Sequence, residues 1–393
     1  MVTKLKNLLP NDITNSEIKK ELSETQKRIG EPLETKRAIR KALHLEGINL
    51  KVGIVGFGEV GAHLASTLLQ QQYVSKIGLY NGKKFDDISF QRYHDLMDSM
   101  PQSHSLIGYK KSPPTIRRFD CLDDMKKDNF DVYVICIKQG YSQREYMNYP
   151  DPRLPLLEWE AEPMKALAEK FRDVNSRFII VTNPMDIITY LFWKYYTKGM
   201  SKEEAEEKKR DIVGYGSMLD GVRLRNIIHG VYNQITKKNI EFYDVDATVI
   251  GQHGPYVVPL LNKARIKDQL ITEIPEIAPM TDDIVKKVIK SGPDIVKALD
   301  HTTFGPAGGI RELIETMFCK VMGIQIASSF GVGPRNGSFE DYPIGRFTMF
   351  KKGRIYETYF QFEEMTTEQI AQLGRGYDSI RDVILDYEKR GVF

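Results

Sequence analysis

The sequence is poor in cysteine and has no long apolar run. Its 393 residues include three cysteines, Cys121, Cys136 and Cys319, at wide spacing. This spacing forms neither a C-x-x-C pair for a metal or redox site nor a disulfide framework, so we expect no bound metal, a reducing compartment and a cytoplasmic location. No segment approaches the roughly 18 apolar residues of a membrane span. The apolar run after Met1 is too short to predict a signal peptide.

An excess of charge of either sign is also missing. The chain has 56 Lys and Arg against 53 Asp and Glu, a formal net charge of +3. This balance argues against a nucleic-acid or membrane surface, so neither partner is expected. Hydrophobic residues make up 41% and charged residues 28% of the chain, which is ordinary for a globular protein. The length predicts two domains or one large one.

Strands and helices are predicted to alternate from about residue 50. Apolar runs bounded by turn residues predict strands at 50–55, 76–80, 130–137 and 177–181, with helices at 60–71 and 156–171. Such alternation predicts an α/β fold with a Rossmann-type doubly wound parallel sheet. After residue 187, helices at 202–209, 222–232, 281–291, 309–323 and 367–389 mix with short strands near 248 and 344–350. This second pattern predicts a mixed α+β domain.

A glycine-rich turn follows the first predicted strand. The sequence GFGEVG at 56–61 stands between a strand and a helix, the context that a dinucleotide-binding turn requires. Gly56 would permit the tight turn, Gly58 the approach of a pyrophosphate, and Gly61 the close packing of helix on strand. A glycine turn that binds nothing is the alternative when this motif is considered alone.

The end of the second predicted strand bears on the choice of cofactor. NAD sites usually place Asp or Glu there to bond the adenosine ribose, whereas this chain has Asn81. Asn81 can bond a hydroxyl without repelling a phosphate, and Lys83 and Lys84 could pair with a 2′-phosphate. Both NAD and NADP therefore stay open. Two solvated lysines in a turn are the alternative.

Three further motifs follow in order. They are TNPMD at 182–186, LDGVR at 219–223 and GQHG at 251–254. With the glycine turn, they supply a phosphate-binding turn, an active-site loop, a carboxylate with an arginine, and a histidine. Hydride transfer between a nicotinamide and a 2-hydroxy acid requires such a set. His253 is the natural base for the hydroxyl proton, and Arg223 has the planar fork that grips a carboxylate.

The sequence resembles the L-lactate/malate dehydrogenase family over about residues 50–389. The matching pieces are VGIVGFGEVG at 52–61, VTNPMD at 181–186, GSMLDGVRLR at 216–225, GQHGP at 251–255 and TTFGPA at 302–307, the last more similar to the malate branch. The resemblance implies an NAD(P)-dependent oxidoreductase of malate or lactate type, with a small 2-hydroxy or 2-oxo acid as substrate. It also implies a homo-oligomer, a dimer or a tetramer.

The resemblance implies roles for further residues. Asp220 is similar to the carboxylate that orients the catalytic histidine, and Arg153 to the loop arginine that polarises the reacting carbonyl. Asn183 and Thr302 are similar to residues that line the substrate site. Arg144 is a candidate for selecting the substrate, although a longer loop at 138–150 leaves its alignment with the family ambiguous.

These assignments predict three parts of the chain and leave two alternatives. Residues 1–49 are expected to form a charged helical extension, 50–187 a dinucleotide-binding domain, and 188–393 a substrate and catalytic domain. The first alternative is a catalytically silent dinucleotide-binding or scaffold protein on the same fold. The second is a cofactor-dependent glycosidase, which would need Cys or His metal ligands after the Asn-Pro turn.

Overall fold

The structure is a computed structural model that describes residues 48–82, 91–98, 114–139, 153–300, 302–320 and 322–392, with the single residues 88, 145 and 149. Residues from Asn49 onward form one compact unit. Residues 1–47 of the predicted N-terminal extension lie outside the described residues, as do Lys83, Lys84 and Arg144. The division of the chain at residue 187 stays a prediction.

Six parallel strands form one half of the main sheet. They are β1 (Leu50–Val55), β2 (Val74–Tyr80), β3 (Thr115–Phe119), β4 (Val132–Ile135), β5 (Arg177–Ile180) and β6 (Ile212–Gly214). Their order is β3-β2-β1-β4-β5-β6, and each neighbouring pair is parallel. Strands β4 and β6 are buried at every position, as expected for strands covered on both faces. This is the order of a dinucleotide-binding sheet, so the predicted fold class is confirmed.

Nine helices have both of their bounds assigned within the described residues. They are α1 (Glu59–Leu69), α2 (Leu122–Lys127), α3 (Arg153–Lys170), α4 (Met185–Tyr196), α5 (Lys202–Lys208), α6 (Ser217–Thr236), α7 (Thr281–Leu299), α8 (Phe304–Phe318) and α9 (Thr367–Lys389). Residues 91–98 are also helical. Capping boxes begin α5, at Ser201 and Glu204, and α9, at Thr366 and Gln369, which satisfies backbone donors at both N-termini. In the described part of the chain, no helix combines the length and apolar character needed to cross a membrane.

Antiparallel strands extend the sheet beyond β6. They are β8 (Val249–Gly251), β9 (Val257–Pro259), β12 (Gly323–Ser329), β13 (Ile344–Lys351) and β14 (Arg354–Tyr359). β12 pairs with β6, and β13 pairs with β12, β14 and β8. A small separate sheet contains β7 (Val245–Asp246), β10 (Arg265–Ile266) and β11 (Gln269–Leu270). The predicted mixture of helices and strands after residue 187 is therefore confirmed.

An aromatic cluster fills the core beside β4 and β5. The ring centroids of Tyr133 and Phe171 are 4.7 Å apart, and those of Phe178 and Phe192 are 4.9 Å apart. All four side chains are fully buried. Such pairs stabilise a core by packing and by ring geometry together, so this cluster stabilises the part of the sheet that contains β4 and β5.

Several helix predictions after residue 187 were wrong at their ends. The helix predicted to stop at 291 continues to Leu299 through Gly292 and Pro293, although proline cannot donate the helical hydrogen bond. Val288 and Val296, on either side of Pro293, are buried, and their packing keeps this part of the chain helical. The helix predicted at 309–323 ends at Phe318, and Gly323 instead begins β12. A Cβ at Gly323 would lie 2.1 Å from the carbonyl oxygen of Thr316, so this strand starts where only glycine fits.

Strand register brings three loops together. Val55 pairs with Tyr80 of β2 and with Ile135 of β4, so the carboxyl ends of these strands are level. The backbone N–H of Gly56 donates to the carbonyl of Tyr80 at 2.8 Å, and that of Cys136 donates to Val55 at 2.8 Å. The carboxyl ends of strands in an open α/β sheet are where ligands bind. The candidate site is built on this edge.

Candidate active site

The glycine turn between β1 and α1 has the shape of a phosphate cradle. Gly56 has φ of +103°, and a Cβ there would meet the carbonyl oxygen of Cys136 at 2.5 Å. A Cβ at Gly61 would lie 2.1 Å from the carbonyl oxygen of Gly56, whereas a Cβ at Gly58 would have no neighbour within 4 Å. Gly56 and Gly61 thus close the turn, and Gly58 leaves open space at the N-terminus of α1, where backbone N–H groups favour an anion. The turn fits a dinucleotide.

Asn81 is part of the same turn. Its Oδ1 accepts a hydrogen bond from the backbone N–H of Phe57 at 3.3 Å. The side chain therefore ties the end of β2 to the glycine turn. The role of Asn81 as the ribose-side residue of a cofactor site stays a prediction.

Two cavities meet at His253. A small cavity of about 100 Å³ lies beside the glycine turn and contains Val60 and Lys138 in its lining. A larger cavity of about 540 Å³ extends from it toward α7 and α9. Both cavities are lined by Leu156, Asn183, Leu219, His253 and Thr302. The histidine therefore stands between the cofactor turn and a space of the size that holds a small molecule.

Asp220 links His253 to Arg223. The Oδ2 of Asp220 is 2.7 Å from Nδ1 of His253, and Nη1 of Arg223 donates to Oδ1 of Asp220 at 2.9 Å. Asp220 and Arg223 lie in the first turns of α6, which begins at Ser217 rather than at the predicted residue 222. Their spacing of three residues puts both side chains on one helix face. Asp220 is 5% exposed, so its charge acts in a poorly solvated setting.

Burial and charge oppose one another at His253. Burial of the imidazole lowers its pKa, whereas the charge of Asp220 and the hydrogen bond to it raise the pKa, and the net shift is upward from the ordinary value. A carboxylate on Nδ1 fixes Nδ1 as the donor and leaves Nε2 for a ligand. His253 can therefore exchange a proton with a ligand through Nε2, and Asp220 favours its protonated form.

Arg223 has a free side for a ligand. Its Nη1 is engaged with Asp220, whereas its Nε is buried with no hydrogen-bond partner among the described residues. Nε and Nη2 form the side-on edge of a guanidinium, which matches the two oxygens of a carboxylate. A buried donor without a partner is costly, so this edge is suited to bind an anionic ligand that enters the cavity.

Asp186 is a functional candidate that the sequence did not single out. It is 4% exposed, its Oδ2 accepts from the backbone N–H of His253 at 3.0 Å, and its Oδ1 accepts from the hydroxyl of Ser328. Burial raises the pKa of Asp186 to about 6. In the sequence it is the last residue of the TNPMD motif at 182–186, but no role was assigned to it there. The contacts show that Asp186 fixes the main chain of the histidine turn.

We expect Asp186→Ala to lower kcat by about tenfold to a hundredfold, because a loss of position by 1 Å can cost about 10²-fold. Asp186→Asn keeps an acceptor oxygen for the N–H of His253 and should retain most of the activity. The measurement is kcat and KM for both variants with one 2-oxo acid. An Asn variant as slow as the Ala variant would show that the acceptor is not what matters.

The other predicted residues reach the cavities to different degrees. Asn183 and Thr302 line both cavities, and Asn183 precedes a cis peptide bond to Pro184. Arg153 is the first residue of α3 and lines the larger cavity, but its Nη2 donates to Ser379 of α9 at 3.0 Å. Arg144 lies outside the described residues.

A second large depression, of about 990 Å³, lies at the opposite edge of the sheet. It is lined by residues 129–131 and 175–176, which come directly before β4 and β5, and by Arg177, the first residue of β5. This edge carries the amino ends of the strands, away from the glycine turn and His253. Among the described residues, no group of three or more His, Cys, Asp and Glu side chains is placed to hold a metal ion. The cavities at His253 are therefore the candidate active site.

Comparisons with known proteins agree with this geometry. The family model of the lactate/malate dehydrogenase NAD-binding domain matches residues 50–203. A malate dehydrogenase of Chlorobium chlorochromatii is 26% identical over 275 residues, which cover 68% of this chain and 77% of that protein. L-lactate dehydrogenase 1 of Staphylococcus aureus is 28% identical over 280 residues, 68% of this chain and 76% of that protein.

Solved structures show the same fold. The malate dehydrogenase from Picrophilus torridus superimposes with a TM-score of 0.69 at 23% identity, covering 87% of this chain and 99% of that chain. The lactate dehydrogenase of Cryptosporidium parvum, solved with lactic acid and nicotinamide adenine dinucleotide, gives a TM-score of 0.69 at 18% identity, covering 86% of this chain and 98% of that chain. The family-model match and these relatives support the lactate/malate dehydrogenase family and an NAD-dependent dehydrogenase, whereas the solved structures show the fold.

Proposed function

We propose that this protein is an NAD(P)-dependent oxidoreductase that transfers a hydride between a nicotinamide cofactor and a 2-hydroxy acid. One observation carries the proposal. His253, Asp220 and Arg223 form a hydrogen-bonded chain in a cavity that adjoins the glycine turn. A silent scaffold on this fold has no packing need for that trio, and the relatives named above give no support for a silent protein.

His253 manages the proton of the reaction. When a 2-oxo acid is reduced, the imidazolium of His253 gives a proton to the oxygen at C2. When a 2-hydroxy acid is oxidised, neutral His253 takes the proton of the C2 hydroxyl. Asp220 holds the ring through Nδ1 and stabilises the imidazolium. Gly58 and the N-terminus of α1 would hold the phosphates of a nicotinamide cofactor, and that cofactor, when bound, would supply or accept the hydride.

The remaining residues hold and polarise the substrate. Arg223 is proposed to bind the substrate carboxylate through its Nε and Nη2 edge, since Nη1 stays on Asp220. Arg153 is proposed to polarise the reacting carbonyl as charge develops on its oxygen. Asn183 and Thr302, which line both cavities, would orient the acid between the cofactor and α7.

An assay of cofactor oxidation tests this function. Purified protein is mixed with NADH or NADPH and a 2-oxo acid, and absorbance of the reduced nicotinamide is followed. The proposal expects oxidation that depends on the acid and saturates with its concentration. Tight binding of NADH without acid-dependent oxidation, over a broad panel of acids, would favour the silent alternative.

The position of Asn81 leads to a prediction about the preference between NAD and NADP. Asn81→Asp adds a negative charge at the end of β2, which should bond a ribose 2′-hydroxyl and repel a 2′-phosphate. We expect a shift toward NAD by roughly 1–3 kcal/mol, the scale of a hydrogen bond to a charged group. The measurement is the ratio of kcat/KM for NADH and NADPH in both proteins. A parent protein that already rejects NADPH as strongly as the variant would contradict it.

The protein is further proposed to be a cytoplasmic homo-oligomer, in which residues 50–187 carry the cofactor and 188–393 the substrate. The few, widely spaced cysteines support the location, and the family resemblance supports the assembly, with α6 at the interface. We expect light scattering to give at least a dimer of the 45.1 kDa chain. A monomer at micromolar concentration would contradict the assembly.

A further inference from the structure

One wall of the larger cavity is a single face of α7. Val288, Gly292 and Val296 recur every four residues and line the cavity, together with Ile289 and Pro293. Residues with this spacing lie on one side of a helix. None of the five carries a charge or a side-chain hydrogen-bonding group. The wall is therefore apolar along its length, and the exposed Lys286, Lys287 and Lys290 belong to other faces of the helix.

The apolar wall touches the arginine of the site. A Cβ at Gly292 would lie 3.1 Å from Nη1 of Arg223 and 3.7 Å from its Cζ. The backbone of α7 thus comes directly against the guanidinium. Because Arg223 and the α7 wall line the same cavity, a 2-oxo acid whose carboxylate is held by Arg223 would have space for its remaining substituent against this helix face.

The charges of the described cavity do not favour a second carboxylate. The permanently charged cations among its described lining residues are Arg153 and Arg223. Both have proposed roles at the reacting end of the substrate. Asp186 and Asp220 add negative charge to the same cavity. Among the described lining residues, α7 offers no cation to pair with a carboxylate on the substrate side chain, and a buried unpaired carboxylate is costly.

We propose that the substrate is a 2-oxo or 2-hydroxy acid with a branched aliphatic or aromatic side chain, which packs against Val288, Ile289 and Val296. The inference rests on the proposed function and names its substrate class. The cavity of about 540 Å³ is far larger than the methyl group of pyruvate fills. Burial of the side chain on α7 would supply the selectivity, since one methylene in an apolar pocket changes kcat/KM by about tenfold or more.

The test compares four probe acids: pyruvate, oxaloacetate, 2-oxo-4-methylpentanoate and phenylpyruvate, each with NADH and NADPH. We expect kcat/KM for at least one of the two larger acids to exceed that for pyruvate and for oxaloacetate by about tenfold or more. A preference for oxaloacetate or pyruvate would overturn the substrate class and leave the hydride-transfer function standing. Turnover of none of the acids would overturn the function itself.

Two isoleucines of α7 form a matched pair of variants. Ile289 is half-buried and lines the cavity, whereas Ile295 is 36% exposed and does not. Ile289→Ala should raise KM for the preferred larger acid by about tenfold and change KM for pyruvate little. Ile295→Ala, the same chemical change on the same helix, should keep the parent ranking. Equal effects of both variants on every acid would refute contact between α7 and the substrate.

Discussion

His253→Ala is expected to lower kcat by about 10²–10⁴-fold, the usual loss when general acid–base catalysis is removed. The side chain lies where the two cavities meet, and its Nδ1 is 2.7 Å from Asp220. No other histidine among the described residues lines these cavities, so none can take over the proton transfer. Affinity for NADH, measured by its fluorescence, should change little, because the glycine turn is separate from the histidine turn.

A second histidine provides the control. His229 is half-buried on α6, and its Nε2 is 2.9 Å from the carbonyl oxygen of Ile240. His229→Gln should leave kcat unchanged. Undiminished turnover in His253→Ala, or an equal loss in His229→Gln, would remove His253 from the mechanism.

The pH dependence follows from the carboxylate beside the histidine. Reduction of a 2-oxo acid needs the imidazolium of His253. The value of kcat/KM for reduction is therefore highest below the pKa of His253 and falls as the pH rises through that pKa. Asp220 raises that pKa against the effect of burial. In Asp220→Asn the pKa should fall, and the decline of kcat/KM for reduction should move to lower pH. A decline at the same pH in both proteins would contradict the role of Asp220.

Arg223→Lys is expected to raise KM for the 2-oxo acid by about a hundredfold, since breaking a buried charge-assisted pair costs about 3 kcal/mol. Lysine keeps the charge, but it cannot bond Asp220 through one nitrogen and offer two parallel donors to a carboxylate. The Arg223 side chain is 12% exposed, so water compensates poorly. Affinity for NADH should not change.

Arg225 is the matched control for this substitution. It lies two residues further along α6, and its guanidinium carbon is 5.6 Å from the ring centroid of Phe242, in the small separate part of the fold near β7. Arg225→Lys should leave KM unchanged. A normal KM in Arg223→Lys would mean that the substrate carboxylate is held by another group.

The sequence predicted what local patterns can encode. The alternation of apolar runs and helices predicted the parallel sheet, because the buried strands read as short apolar runs bounded by turn residues. The glycine turn has its signal in consecutive residues, since Gly56 and Gly61 occupy positions where a side chain would collide with backbone. The trio of His253, Asp220 and Arg223 stands in motifs whose order along the chain matched a known chemistry.

Contacts between distant parts of the chain could not be predicted. Asp186 and Ser328 are 142 residues apart, and nothing in either local pattern pairs them. The helix α7 continues through Gly292 and Pro293 because tertiary packing outweighs the local cost of both residues, so the apolar wall of the cavity had no signal in helix propensity. β12 was missed since its strand character depends on β6 and β13 beside it.

The central claim is that a hydride moves between the cofactor and C2 of the acid. The direct test is to incubate the protein with NADH carrying deuterium at both C4 positions and the best 2-oxo acid of the panel, and to analyse the product by mass spectrometry and NMR. The account predicts a 2-hydroxy acid with one deuterium at C2, formed by the parent protein and slowed by about 10²–10⁴-fold in His253→Ala. A hydroxy acid without deuterium at C2, or labelled cofactor left unconsumed beside every acid, would contradict it.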